Sequence, residues 1–108
     1  MKGVINQKRV INNLTYNTET AEEIARWRNG LGGSDFRSCS EQLYRTKKGN
    51  YFVAGEGGPM TQWRYDTGNG YCEGSGIHPV TVPEAIVWCE DHEVDADTIL
   101  KHFDVEDA

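Results

Sequence analysis

The strongest structural signal in the chain is a turn sequence at its centre, followed by an apolar run. Lys48-Gly49-Asn50 favours a tight turn, because glycine and asparagine accept positive φ angles. Tyr51-Phe52-Val53 follows at once, and aromatic and β-branched residues favour strands. The segment therefore predicts a β-hairpin with strands over 41–47 and 50–54, and with it an antiparallel sheet.

The N-terminal part of the chain predicts a second hairpin and a helix. Residues 4–16 contain strand-forming side chains around Asn12-Asn13, a pair that tolerates the turn conformation. Residues 17–29 have apolar side chains at helical spacing. Thr20 and Glu23 have the spacing of a capping box, so this segment is predicted as a helix.

Two loops and an edge strand are predicted in the middle of the chain. Residues 31–39 are predicted as a loop. Residues 55–76 contain more than half of the twelve glycines and predict a long loop around a short element at 60–65. Residues 77–80 are predicted as a short edge strand, because Pro79 cannot donate to a neighbouring strand.

The C-terminal part predicts two helices. Thr81 and Glu84 have capping-box spacing at the start of a helix over 81–91. Asp95 is a candidate N-cap for a helix over 95–103, and residues 104–108 are expected to fray. The predicted order is β-β-α-β-β-β-α-α, an α+β fold with a small antiparallel sheet and flanking helices. A chain of 108 residues fits one domain over 1–108.

The charge of the chain is distributed unevenly. Residues 1–50 carry nine Lys/Arg and five Asp/Glu, whereas residues 51–108 carry two and twelve, for a net charge of −6. This acidity argues against general nucleic-acid binding, which needs a basic surface. Eleven aromatic rings argue against disorder, and no apolar run is long enough to span a membrane. We expect no secretory leader, and therefore a cytoplasmic protein.

The cysteines and histidines form no closed metal-binding pattern. Cys39, Cys72 and Cys89 are odd in number, lack C-x-x-C spacing and are expected to be reduced thiols. Cys89 and His92 share a predicted helix face, and Cys72 with His78 could complete a four-ligand set. Their spacing is loose, so we expect packed thiols and neither a metal nor another cofactor.

No enzymatic signature is present either. No local pattern links a thiol to a base, and the serine-nucleophile motif is absent. The glycine run after the central hairpin does not fit a phosphate loop. Pro59 removes an amide donor, no Lys-Ser/Thr follows, and Glu56 repels anions. A non-enzymatic binding protein is the expectation.

Three segments are candidate contact surfaces. One is an acidic face of the C-terminal helices: Glu84, Glu90, Asp91, Glu93, Asp95 and Asp97. The second is the glycine-rich loop with its large rings: Glu56, Trp63, Tyr65 and Tyr71. The third is the basic hairpin turn, where Tyr44 or Tyr51 could stack on a nucleobase: Arg45, Lys47 and Lys48.

Each surface also has a structural interpretation. Exposed acidic residues keep a protein soluble without binding anything. Trp63 could insert into the core instead of anchoring a partner. Lysines on a hairpin protect an edge from strand addition.

Residues 44–52 and 55–59, with the sequences YRTKKGNYF and GEGGP, resemble a family of small proteins carried by phages, plasmids and other mobile elements. The resemblance extends to the segments 16–21 and 79–88 and covers most of residues 10–103. Its mobile-element setting, small size and acidity are similar to those of anti-CRISPR proteins.

The resemblance implies an inhibitor that binds a Cas effector in the bacterial host and blocks nucleic-acid recognition by occlusion or acidic mimicry of DNA. It would act as a monomer or homodimer and would not bind nucleic acid directly. The alternative is a small regulatory module of a mobile element that contacts nucleic acid through the basic hairpin at 45–51.

Overall fold

The computed structural model describes residues 6–108, in which eight β-strands and two α-helices form an α+β fold. The strands are β1 Lys8–Ile11, β2 Leu14–Asn17, β3 Glu22–Arg28, β4 Cys39–Arg45, β5 Tyr51–Gly57, β6 Tyr65–Asp66, β7 Tyr71–Cys72 and β8 Gly74–Val80. The helices are α1 Val82–Asp91 and α2 Ala96–His102. The predicted fold class is confirmed.

The main sheet has four antiparallel strands in the order β3-β4-β5-β8. β1 pairs with β2, and β6 pairs with β7, as separate two-stranded hairpins. Within the main sheet β3, β4 and β5 are consecutive neighbours, whereas β5 and β8 are joined through the segment that contains the β6-β7 hairpin. The predicted edge strand is present as β8, although it begins at Gly74 and is longer than the sequence indicated.

The central hairpin forms as predicted. Arg45 pairs with Tyr51, and Asn50 accepts a hydrogen bond from the backbone N–H of Thr46 at 2.7 Å. Gly49 has a φ angle of 89°, the left-handed conformation that glycine adopts without strain. The N-terminal hairpin is also confirmed for its described residues, with Asn12 and Asn13 at φ angles of 51° and 66°. The first residues of that prediction, 4 and 5, lie outside the described residues.

The helix predicted over 17–29 is wrong, because most of this segment forms β3. The capping box does not form, and Glu23 instead makes an ion pair with Arg26 at 2.9 Å. A bulge between Glu23 and Ala25 interrupts the pairing with β4. It allows the adjacent residues Ile24 and Ala25 to contact the same core. Two adjacent apolar residues on one face imitate helical spacing, which explains the error.

Both C-terminal helices and their caps are confirmed. The side chain of Thr81 accepts from the backbone N–H of Glu84 at 3.2 Å, and the Glu84 carboxylate accepts from the N–H of Thr81 at 2.8 Å. Asp95 caps α2 by accepting from the N–H of Thr98 at 3.1 Å. The predicted long loop is partly structured, since it contains β6, β7 and the start of β8.

Each face of the main sheet covers its own apolar cluster. The larger cluster joins the sheet to the helices and contains Leu43, Val53, Ala85, Cys89 and Phe103 among its buried members. The smaller cluster lies on the opposite face, under the N-terminal hairpin. It consists of Tyr16, Tyr44, Phe52 and Ala54, with Ile11, Ala21 and Ile77 at its margin. The alternation of side chains along β4 and β5 explains this division.

We predict that Gly49→Val lowers the free energy of unfolding by about 1 kcal/mol or more, because valine is strained at a positive φ angle. Gly32→Val is the matched control, since Gly32 lies in a loop with an ordinary φ angle and no atom near its missing Cβ. Urea denaturation of both variants measures the difference. Equal stability of the two variants would contradict the assigned turn.

Candidate functional site

The acidic face defined above is exposed at all six of its residues. Residues 81–108 contain nine Asp/Glu against one lysine. Within the described chain, no ion pair engages these six side chains. Two of them are capping groups: backbone hydrogen bonding to Thr81 lowers the pKa of Glu84, and hydrogen bonding to Thr98 lowers the pKa of Asp95.

Exposed aliphatic side chains interrupt the acidic face. Val87 is 49% exposed and lies on α1 between Glu84 and Asp91, at the spacing of neighbours on one helical stripe. On α2, Leu100 is 57% exposed and follows Asp97 by three residues. The two helices therefore present apolar side chains within an acidic surface.

The basic hairpin turn also has an exposed surface, at Arg45, Lys47 and Lys48. Tyr44 and Tyr51 are both buried, so the interpretation that either ring stacks on a nucleobase is wrong. The Tyr51 ring contacts Phe103, with 5.2 Å between the ring centroids. The three basic side chains at this turn therefore have neither Tyr44 nor Tyr51 exposed beside them for stacking.

The glycine-rich loop divides its aromatic residues between core and surface. Tyr65 and Tyr71 are exposed, and the guanidinium of Arg64 lies 4.1 Å from the centre of the Tyr71 ring. Trp63 is only 8% exposed, so it is a core residue and not a surface anchor in this conformation. Glu56 is half-buried.

Two glycines explain why Trp63 enters the core. Gly55 on β5 pairs with Gly76 on β8, so the sheet lacks side chains at this point. A Cβ atom on Gly55 would overlap the indole ring, and one on Gly76 would lie 3.3 Å from it. The ring therefore lies directly against the backbone of both strands.

The buried carboxylate of Glu41 is the centre of a polar network that the sequence did not reveal. Glu41 lies on β4 and is 4% exposed. Trp63 Nε1 donates to its Oε2 atom at 2.8 Å, and Gln62 Nε2 donates to the same oxygen at 2.6 Å. Trp88 Nε1 donates to Oε1 at 2.8 Å, and His92 Nε2 lies 3.3 Å from that oxygen. Both oxygens are thus fully engaged.

The third tryptophan joins this network through the histidine. The Trp27 ring stacks on His92 with 4.3 Å between centroids and 7° between planes. The Trp88 ring meets His92 edge-on at 4.5 Å. The three tryptophans of the chain are therefore gathered around one carboxylate and one imidazole, on the sheet face that carries the helices.

The electrostatics of Glu41 follow from this geometry. Burial alone raises the pKa of its carboxyl group, but hydrogen bonds from Trp88, Trp63, His92 and Gln62 outweigh burial and hold the pKa below 4.5. The charged form is therefore the stable one. A saturated, enclosed carboxylate of this kind aligns structural elements and offers no free lone pair to a substrate.

The neighbouring thiol is poorly suited to nucleophilic chemistry. Burial, followed by the charge of Glu41, raises the pKa of Cys39 to about 11. Its Sγ atom lies 3.8 Å from Glu41 Oε2. At neutral pH the thiol is protonated, whereas a catalytic cysteine needs a thiolate.

The four candidate metal ligands do not come together. Cys72 and His78 are exposed, Cys89 is buried in the core, and His92 contacts Glu41. Among residues 6–108 no three His, Cys, Asp or Glu side chains are grouped closely enough to hold a metal ion.

Comparisons with known proteins identify no relative: no family model, no curated protein and no solved structure matches the chain. In the described part of the chain, neither helix has the length and apolar character needed to cross a membrane.

We predict that Glu41→Gln lowers the free energy of unfolding by about 3 kcal/mol. The glutamine NH2 group would face the N–H donors that now bind the carboxylate, and the negative charge that these four groups stabilise would be lost. Glu23→Gln is the control. It removes one exposed ion pair and is expected to cost about 0.5 kcal/mol or less. Guanidinium denaturation measures both, and a Glu41→Gln variant as stable as the control would contradict the assigned network.

A second prediction concerns the pH dependence of this contribution. The folded-state pKa of Glu41 is lowered, so its stabilisation is fully present above the unfolded pKa near 4.5 and is lost as the pH falls through the folded pKa. The stability difference between wild type and Glu41→Gln should therefore shrink between about pH 5 and pH 3. Denaturation at a series of pH values tests this, and a difference that grows on acidification would be inconsistent with a lowered pKa.

Proposed function

We propose that this protein is a non-enzymatic inhibitor that binds a basic protein surface through its two C-terminal helices. The observation that carries the proposal is the composition of the exposed helical surface. Acidic side chains without ion pairs to other described residues surround exposed Val87 and Leu100. A protein interface commonly combines apolar contacts with a charged rim.

The target we propose is a Cas effector, whose nucleic-acid channel would supply the basic surface. This step rests on the resemblance of residues 44–52 and 55–59 to proteins of mobile elements. The acidic helices would occupy the channel in place of nucleic acid, as a DNA mimic, in the cytoplasm of a bacterial host. Residues 81–108 have eight more acidic than basic side chains, which supports this mimicry.

Electrostatic complementarity predicts how such a complex would form. Long-range attraction accelerates association and orients the partners, whereas buried apolar contacts slow dissociation. Val87 and Leu100 would provide the apolar contacts on the helices. Tyr65 and Tyr71, both exposed, with Glu56 nearby on β5, would form a second contact.

A regulatory module that contacts nucleic acid through its basic hairpin is the second candidate. The observation in its favour is the exposure of Arg45, Lys47 and Lys48 at a single turn. The burial of Tyr44 and Tyr51 makes this surface less suited to single-stranded nucleic acid, because it removes the stacking contribution.

Charge reversal on α1 tests the first candidate. We predict that Glu90→Lys with Asp91→Lys slows association with the effector about tenfold or more and weakens inhibition of DNA cleavage. The fold should survive, because both residues are exposed near the end of the helix, where lysine suits the helix dipole. Wild-type affinity should also fall as salt increases. Surface plasmon resonance and cleavage assays with a panel of type I and type II effectors supply the measurements.

The matched control is Glu19→Lys with Glu22→Lys, which changes the net charge equally at exposed residues outside the helices. It should retain most of the binding. Lys47→Glu with Lys48→Glu should also retain binding under this proposal and abolish function under the alternative. Full inhibition by the α1 variant would reject the acidic-face mechanism, and no inhibition of any effector by the wild type would favour the regulatory module.

A further inference from the structure

A polar row crosses the main sheet on the face opposite to the helices. Arg28 on β3 pairs with Ser40 on β4, Ser40 pairs with Glu56 on β5, and Glu56 pairs with Ser75 on β8. Residues in direct register point to the same face of a sheet. The apolar cluster on this face ends at Ala54, two residues before Glu56 on β5.

This row lies in a cleft of about 690 Å³. The loop between β3 and β4 contributes Leu31 and Phe36 to its lining, and Tyr71 lines it as well. Phe36 is 64% exposed, and Tyr71 is exposed as well. The cleft therefore combines a polar floor with apolar and aromatic walls, the usual character of a binding site.

Glu56 supplies the only side chain in the glycine run of β5. The neighbouring Gly55 and Gly57 face the other side of the sheet, where a Cβ atom would meet Trp63 and Thr61 respectively. These glycines therefore have packing roles, and they leave Glu56 as the single group that the motif presents to the cleft. Its half-buried carboxylate accepts one long hydrogen bond, from Ser40 Oγ at 3.5 Å.

The carboxylate has capacity for a further partner. Within residues 6–108, no basic side chain makes an ion pair with Glu56. Arg28, in the same row, is two strands away, which places its backbone about 10 Å from that of Glu56. Ser40 and Ser75 pair with Glu56 on its two sides and line the cleft, and their hydroxyl groups can accept additional N–H donors.

We propose that this cleft binds an arginine side chain presented by the basic protein partner. A guanidinium donates two parallel hydrogen bonds to a carboxylate, and its flat face stacks on an aromatic ring such as that of the exposed Phe36. An anionic ligand would meet the negative charge of Glu56. The proposal deepens the proposed function and rests on it for the identity of the partner, but the chemistry of the cleft can be tested without any partner.

The test is a titration of the isotope-labelled full chain with Nα-acetyl-L-arginine amide, followed by NMR amide shifts. We expect saturable shifts at Ser40, Glu56 and Ser75, and about tenfold weaker binding by Glu56→Gln, since one charge-assisted pair is lost. Glu19→Gln, an equal loss of charge at an exposed residue outside both the cleft and the acidic face, should bind like wild type. The Arg28→Gln variant should bind the arginine derivative at least as tightly as wild type does, because it removes a positive charge that repels the guanidinium.

The neutral isostere Nα-acetyl-L-citrulline amide is the matched ligand control and should not bind measurably. Equal binding of the citrulline derivative, equal binding by Glu56→Gln, or shifts confined to 82–102 would each overturn the assignment. The effector assay with the α1 variant uses no free arginine, and this titration uses no effector. Failure of the cleft and failure of the acidic face are thus separate results.

Discussion

The hydrogen bonds to the buried Glu41 carboxylate set the orientation of helix α1 and of the loop after β5 against the main sheet. Apolar burial explains why the helices cover one sheet face, but burial is non-directional and leaves their orientation open. Hydrogen bonds from Trp63, Trp88 and His92 attach the loop after β5 and helix α1 to one point on β4. Trp27 adds β3 by stacking on His92. Loss of any one donor would leave part of a buried charge unsatisfied, which makes the network cooperative.

The glycines of β5 and β8 serve this network directly. Gly55 and Gly76 have no side chains, so the Trp63 ring can lie directly against the sheet backbone. This position brings Trp63 Nε1 within hydrogen-bond distance of Glu41. The glycines of the run GEGGP on β5 are therefore explained on one sheet face by packing alone. On the other face the same run leaves Glu56 with one weak hydrogen bond and an open cleft. Packing does not explain that carboxylate, and a ligand would.

Local signals in the sequence predicted local structure well. The Lys48-Gly49-Asn50 turn and the caps of both helices depend on neighbouring residues, so they could be recognised from the chain alone. The sequence of β3 imitates a helix because its bulge brings two adjacent apolar residues to one face. The Glu41 network could not be predicted, since Glu41 and His92 are 51 residues apart and nothing in sequence marks their contact. The surface charge of the helices was predictable, because exposure follows from their spacing.

The two sides of α1 have separate roles, and their separation has a consequence for binding. Ala85, Trp88 and Cys89 face the core and the Glu41 network, whereas Glu84, Val87 and Asp91 face outward. The inner contacts keep the outer stripe in one orientation before any partner arrives, which reduces the entropy lost on association. Outer residues can therefore change to suit a partner with little effect on stability. Changes at the inner residues would loosen the helix and, under the proposed function, would weaken binding to the basic partner without altering a single surface charge.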